Sequence, residues 1–558
     1  VKGFKLPKDS GGHLAYLLEP SRKDGKDEPA EANKEKEEEK AEGKKPDEKK
    51  KKEPGTDLVV RELATGTELT IREVSDYVWS TNGEWLAYSV SSKVGANDGA
   101  YLRATNDGRT HQLLTGAGEY KQLALDEKCS QVAFVSNRDS FSRDTPTFKL
   151  YHSSTSRIAV RELLSSTTSG LEPDMAVSEH GQVEFSKDGR RVFFGVSPTT
   201  KPRPPDAPEA IRVDIWHWKD PELQPMQKAR AEEERKRSFR ALFDLVDKRF
   251  VQLASPEIPT ISLGDNGTLA IATSNIPYRQ LLSWDTRYDD VYAVDLRDGS
   301  RRKIVEKTPF EATLSPGGRY ILYFSPLEAQ WYAHNLATGR AVNLTGKLGV
   351  KFDQEVWDTP GVPRPYGVAG WTDHDRTVLV YDRYDIWEIK PDGSLARPLT
   401  RGLGRRERIV FRYQDLDQET KTIADPVFLR AVSEITKASG VYRGTLTGTG
   451  EPEKLFMIDK AMNIVTKAKE ADRFVFTLST FEQFPDLWVS SGTFTNPSRI
   501  TDANPQQSKY VWGRSELISF RNADGVPLEA ILTKPENFDP TKKYPLMVYI
   551  YERLVQGL

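Results

Sequence analysis

Apolar residues in this chain fall into short runs instead of long stripes, and one run recurs. A Ser or Asp opens a Gly-containing turn, and an apolar strand ending in an aromatic follows. It reads STNGEWLAY at 80–88, SKDGRRVFF at 186–194 and SPGGRYILY at 315–323, with looser copies near 126–134, 265–271, 373–381 and 472–476. Gly and Asn tolerate positive φ, so each copy predicts a tight hairpin feeding a buried strand. A second pattern alternates with the first: period-two segments at 58–66, 291–299, 331–339 and 386–393 that end in a Thr-Gly or Asp-Gly turn. Two hairpins make a four-stranded antiparallel sheet. Their repetition at several tens of residues predicts an all-β fold, a β-propeller of about seven or eight four-stranded blades spanning 1–512. Unrelated hairpins in sandwich domains would not alternate in this order.

The first copy is irregular. Residues 4–16 read as the second half of a blade whose first half is absent: either the final blade closes the ring with this strand or, the favoured reading, residues before Val1 are lost. Two insertions interrupt the pattern. Residues 22–54 hold twelve basic and twelve acidic side chains with almost nothing apolar, which predicts a disordered segment. The lysines at 49–52 form either an anion-binding patch or, with acids interleaved, a solvated loop. The second insertion covers 219–245. Asp220-Pro221 suits a helix start, and 229–245 reads as helix, with Glu232–Lys236 and Glu233–Arg237 at i,i+4 spacing. Just before it, Trp216-His217-Trp218 reads as a core strand.

After about residue 511 the grammar changes. An apolar hairpin turns at Asp524-Gly525, a polar Lys-Pro loop follows, and 544–551 reads YPLMVYIY. A continuous apolar run of that length predicts a strand buried on both faces, as in an α/β sheet. Residues 513–558 therefore read as the start of a second domain, truncated at Leu558.

Composition narrows the function classes. The chain has 558 residues, 37% hydrophobic and 10% aromatic, with 34 prolines, 39 glycines and a net charge of −2. That near-neutral balance gives no field to draw in nucleic acid. No run approaches the ~18 apolar residues of a membrane-spanning helix. The single cysteine, Cys129, excludes an internal disulfide. The compartment stays open, with export set ahead of the cytoplasm, and so does oligomeric state.

A propeller followed by ISFRNADGVPLEAILTKPENFDPTKKYPLMVYIY resembles the domain junction of the prolyl oligopeptidase family of serine peptidases, which includes dipeptidyl and acylaminoacyl peptidases. FPDLW at 484–488 and TDANP at 501–505 resemble that family's last blade. The resemblance implies a truncated α/β-hydrolase domain, a peptide substrate and a propeller that gates the active site. It also implies a Ser on a G-x-S-x-G elbow, followed by Asp and His. No G-x-S-x-G occurs here, and all seven histidines precede the junction, so nucleophile, acid and base are expected outside this chain, which should itself be inactive. By the same resemblance, Tyr551 falls where some members place an oxyanion-donating tyrosine. A strand-end tyrosine packed on the propeller fits that position equally, and Glu552-Arg553-Leu554 replaces the Gly-Gly of many relatives. Two other readings stay open: a non-catalytic propeller that binds peptides or proteins, and an inactive homologue.

No cofactor or metal is implied, since C-x-x-C and H-E-x-x-H are both missing. The Gly/Thr-rich stretch 444–450 lacks the Lys-Ser/Thr of a phosphate loop and reads as a hairpin. His374, between Asp373 and Asp375, sits in a predicted blade turn.

Overall fold

The computed structural model of the chain describes residues 2–19, 52–165, 167–201, 204, 213–417 and 419–550. The chain forms two compact units: Val1–Ser283 with Asp290–Lys303, and Trp284–Asp289 with Ile304–Leu558. The fold is nearly all antiparallel sheet, with few helices.

The recurring turn explains itself at atomic detail. In the first copy, the Ser80 backbone N–H donates to Trp85 O at 2.9 Å and the Trp85 N–H donates back to Ser80 Oγ at 2.9 Å. Ser186 with Arg191 and Ser315 with Tyr320 repeat this exchange. The glycines of these turns, Gly83, Gly189 and Gly318, take φ of 74°, 77° and 71°. In the looser copy at 126–134, buried Asp126 replaces the serine and accepts the Ser130 and Gln131 N–H groups. The side chain thus closes a turn whose backbone polar groups would otherwise be buried unpaired.

The strands after these turns are buried on both faces. Arg191–Pro198 is an example: Phe194 packs into one hydrophobic cluster with Val135, Leu150 and Ala241, while its neighbour Phe193 packs into another with Leu242, Ala270 and Val294. Successive side chains of a strand point to opposite faces, so each cluster lies between two consecutive sheets. In the second unit Val378 and Val380 face one cluster, with Phe324 and Trp331, and Leu379 faces the next, with Phe411 and Leu429.

Among the described residues the four-stranded pattern occurs nine times. The first two sheets share one strand. Glu68–Trp79 pairs through its first half with Thr56–Glu62 and through its second half with Trp85–Val90, and Glu73 at the handover has φ of 55°. The others follow as separate sheets of four or five strands. The count exceeds the expected seven or eight because the eighth sheet lacks the turn signature. Its first two strands, Ile409–Tyr413 and Val427–Ser433, are joined by the longer connection 414–426.

Several expectations are corrected. The opening segment is not half a blade. Lys2–Lys5 and His13–Leu17 pair with each other and then with Thr56–Glu62 and Glu68–Trp79, completing four strands across the charged insertion. Most of that insertion lies outside the described residues. At its end Lys52 is not solvated but forms an ion pair with Asp98, whose fully buried carboxylate also accepts from Ser92 N at 2.8 Å and Gly118 N at 3.2 Å. The helix of the second insertion spans Gln224–Arg235, not 229–245. Phe239–Asp244 is instead a buried strand of the fourth sheet, pairing with Arg191–Pro198, because that sheet needs a third strand between two apolar clusters. Lys236 pairs with Glu232 as expected, but Arg237 pairs with Glu234. Trp216 and Trp218 form no strand and are 66% and 83% exposed.

At the C-terminus the expected hairpin forms from Arg514–Arg521 and Pro527–Lys534, with Gly525 in its turn at φ of 77°. Residues 546–550 adopt no strand and are exposed. A doubly buried strand requires neighbours on both sides, and none pairs with this segment among the described residues.

Gly440 tests the packing between strands. It pairs with Ala431 and Met457 beside a bulge, and a Cβ there would run into the Phe456 carbonyl and the Met457 Cα. Gly440→Ala is expected to destabilise the second unit by about 1–3 kcal/mol, read from the urea midpoint. An unchanged midpoint would show that the two strands separate freely.

Candidate functional site

In an antiparallel meander, the connection between strands two and three and the connection to the next sheet emerge at the same edge. In the second unit, four such loops gather charged side chains: 344–367, 382–385, 399–408 and 434–438. The 382–385 and 434–438 loops begin where the largely apolar inner strands Val378–Tyr381 and Val427–Ser433 end, so polar residues appear as soon as the strand leaves the stack.

Glu434 is the hub. Arg383 donates to both of its oxygens, through Nη2 at 2.9 and 3.1 Å and through Nε at 3.2 Å. The Tyr384 hydroxyl donates to Oε2 at 2.7 Å, and Arg408 reaches the same oxygen at 3.4 Å. A second arm runs from Arg405 to Glu355 at 2.7 Å and to Asp382 at 3.6 Å. The Arg383 and Arg405 guanidiniums lie 4.9 and 5.3 Å from the centre of the Tyr384 ring. Two buried aspartates shape the loops beneath. Asp382 accepts the Tyr384 and Asp385 N–H groups at 2.7 Å each. Asp385 accepts from Thr400 Oγ1 at 2.6 Å, Gly404 N at 2.9 Å and Arg405 N at 3.0 Å.

The electrostatics follow from this geometry. Burial alone would push Glu434 up, but Tyr384 and Arg383 outweigh it and hold the carboxyl below the usual range. Burial, then the Glu434 charge, pushes the Tyr384 phenol up. Burial works against the Arg383 charge, and Glu434 more than restores it. Glu434 and Arg383 therefore face each other as a charged pair at neutral pH, and with the Arg405–Glu355 pair they tie four loops together.

The C-terminal hairpin rests on the same edge. Lys437, in the loop after Glu434, pairs with Glu529 of the hairpin at 3.3 Å. Trp512, just before the hairpin, donates its indole N–H to Phe481 O at 2.8 Å and packs on the Phe481 ring. Phe481 lies in the equivalent loop of the ninth sheet, between Phe474–Ser479 and Asp486–Ser490. The chain after the hairpin thus departs from the edge that carries the Glu434 cluster.

Tyr551 lies outside the described residues. His374 stands in the first turn of the seventh sheet, at the opposite edge, with φ of 55° and Asp373 3.2 Å away. Among the described residues no group of three His, Cys, Asp or Glu side chains is placed to hold a metal ion. The stretch 444–450 connects Ser439–Gly444 to Glu453–Ile458, the expected hairpin. The first unit holds a cavity of about 460 Å³ lined by Gln122, His180, Glu233, Lys236, Arg237 and Ser238. The sequence pattern leaves 382–385 between two recognised segments, 373–381 and 386–393, and assigns it no role. Nothing local signals that Arg383 meets Glu434, 51 residues further on.

Glu434→Gln keeps the shape and removes the charge. It is expected to destabilise the second unit by about 1–3 kcal/mol at pH 7 in urea unfolding. Because the folded Glu434 pKa is depressed, this stability is present above the unfolded value of about 4.3 and is lost as pH falls through the folded value. The gap between wild type and variant should close on acidification below about pH 4. A gap that stays constant with pH would show that the charge of Glu434 contributes nothing.

No family model matches the chain. Among solved structures, the chain is similar to Porphyromonas gingivalis dipeptidyl peptidase 4, at 12% identity and a TM-score of 0.45, over 98% of this chain and 66% of that one. It is also similar to a Pyrococcus horikoshii acylaminoacyl peptidase, at 14% identity and a TM-score of 0.30, over 85% of this chain and 59% of that one. A third is the β-propeller domain of the Trilobed protease from Pyrococcus furiosus, at 12% identity and a TM-score of 0.27, over 77% of this chain and 96% of that domain. The chain spans less than two thirds of either peptidase.

Proposed function

We propose that this chain is the propeller-bearing part of a serine peptidase of the prolyl oligopeptidase type, which cleaves peptides by acyl transfer to serine. The observation that carries this is the docking of the C-terminal hairpin on the edge that presents the Glu434 cluster. A hydrolase domain continuing from that hairpin would face the cluster, and the sheets would limit access to short or unstructured peptides. The sequence resemblance at about 475–551 supports the same reading.

In this reading the nucleophile, acid and base lie outside the 558 residues, which contain no G-x-S-x-G. The propeller would orient the peptide and exclude folded substrates. Tyr551 would donate its hydroxyl to the developing oxyanion, a role worth about 2.7–4 kcal/mol of barrier at a fixed donor. The charged loops gathered at one sheet edge also suit a second reading, a propeller that binds peptides or proteins without turnover.

A fluorophosphonate probe separates the two. The full-length gene product is expected to label at one serine and to hydrolyse peptide substrates, while the 558-residue chain does neither. Absence of labelling and turnover in the full-length product would leave the binding reading. In an active protein, Tyr551→Phe should lower kcat by about 10²–10³-fold with little change in KM. An unchanged kcat would reassign Tyr551 to packing.

A further inference from the structure

Arg412, on the strand Ile409–Tyr413, differs from the arginines around it. Arg383, Arg405 and Arg408 each lie within ion-pair distance of a carboxylate. No ion pair joins Arg412 to a carboxylate among the described residues. Its guanidinium lies 4.6 Å from the Tyr381 ring centre and 5.9 Å from that of Tyr366. It donates only to backbone carbonyls, Phe411 O at 2.7 Å and Arg383 O at 3.3 Å. Burial draws its pKa below the usual arginine value, with Tyr381, Asp382 and Tyr366 opposing. Asp382 acts on it only at a distance, since its oxygens take Tyr384 N, Asp385 N, the Trp387 indole N–H and Arg405.

The two tyrosines add donors. Tyr366 Oη accepts the Glu355 N–H at 2.8 Å, and Tyr381 Oη accepts the Tyr413 N–H at 3.1 Å. Each hydroxyl therefore still has its own proton to donate. The rings that carry these two hydroxyls flank a partly buried cation beside the 382–385 loop, and no ion pair holds that cation among the described residues.

We propose that Arg412, with the Tyr366 and Tyr381 hydroxyls, forms a subsite for the carboxylate of a short peptide. The guanidinium fork matches a planar carboxylate through two parallel hydrogen bonds, and partial burial strengthens them. The subsite adjoins the Glu434 cluster, so it rests on the reading that peptides are received at this edge. The carboxylate is either the peptide's C-terminus or an acidic side chain.

Calorimetric titration of the 558-residue chain tests this with four probes: Gly-Ala-Ala, its C-terminal amide, Gly-Glu-Ala-amide and Gly-Gln-Ala-amide. At least one carboxylate-bearing probe is expected to bind about tenfold or more tightly than its neutral counterpart. The first pair reports on the C-terminus and the second on the side chain. Arg412→Gln should abolish the preference, and Tyr381→Phe should reduce it. Equal binding of all four probes, no binding of any, or a preference that survives in folded Arg412→Gln overturns the proposal. If near-UV circular dichroism shows that Arg412→Gln does not fold, the Tyr366→Phe/Tyr381→Phe pair decides, and an unchanged preference overturns the proposal. Binding is read without turnover, so a negative fluorophosphonate result and a negative titration are separate failures.

Discussion

Everything in this chain depends on burying both faces of the inner strands. A sheet with one solvated face carries its own core on the other. Here Phe193 and Phe194, adjacent in sequence, enter different clusters, so the fourth sheet is covered only because a sheet packs on each side of it. The same holds for Val378, Leu379 and Val380 in the seventh sheet. A fully buried large apolar side chain contributes about 1.5–3 kcal/mol, and that gain exists only in the stacked arrangement. The turns obey the same constraint. Each Ser or Asp at a turn pairs backbone groups that the stack removes from water.

The stack also fixes where chemistry can sit. Apolar residues fill most of the inner strands, so charged residues gather in the connections, and an antiparallel meander sends half of its connections to each edge. The Glu434 cluster joins four loops of one edge with opposite charges, hydrogen-bonded at nearly every lone pair. Such a network gives little net stability and much positional order, because breaking one partner leaves another charged group partly buried and unpaired. Lys437 extends that order to the C-terminal hairpin. Arg412 is the exception in the same region, a cation balanced by ring faces and carbonyls.

Features that repeat locally were legible in the sequence. The Ser or Asp with a following Gly, and the apolar run after it, located most inner strands because turn and strand lie within ten residues. The eighth sheet was missed because its strands are joined by 414–426, which needs no tight turn. Phe239–Asp244 was read as helix because it continues a charged helical stretch without a breaker, and only its pairing with Arg191–Pro198 makes it a strand. The run at 546–550 looked like a buried strand on hydrophobicity alone, and hydrophobicity cannot supply neighbours. Of the candidate site, only the strands on either side of 382–385 were visible, since residues 355, 383, 405, 412 and 434 come together only through the stacking of sheets.

The strand Glu68–Trp79 has one more consequence. Because one continuous segment closes the first sheet and opens the second, neither sheet can come apart without disturbing the backbone ladder of the other. Native-state hydrogen exchange would then see the two sheets open together. Elsewhere, separate strands joined by a loop let a sheet fray by itself. At the start of the chain that freedom is removed, and the segment around Leu58, Val74 and Leu86 becomes a shared spine with a single opening free energy.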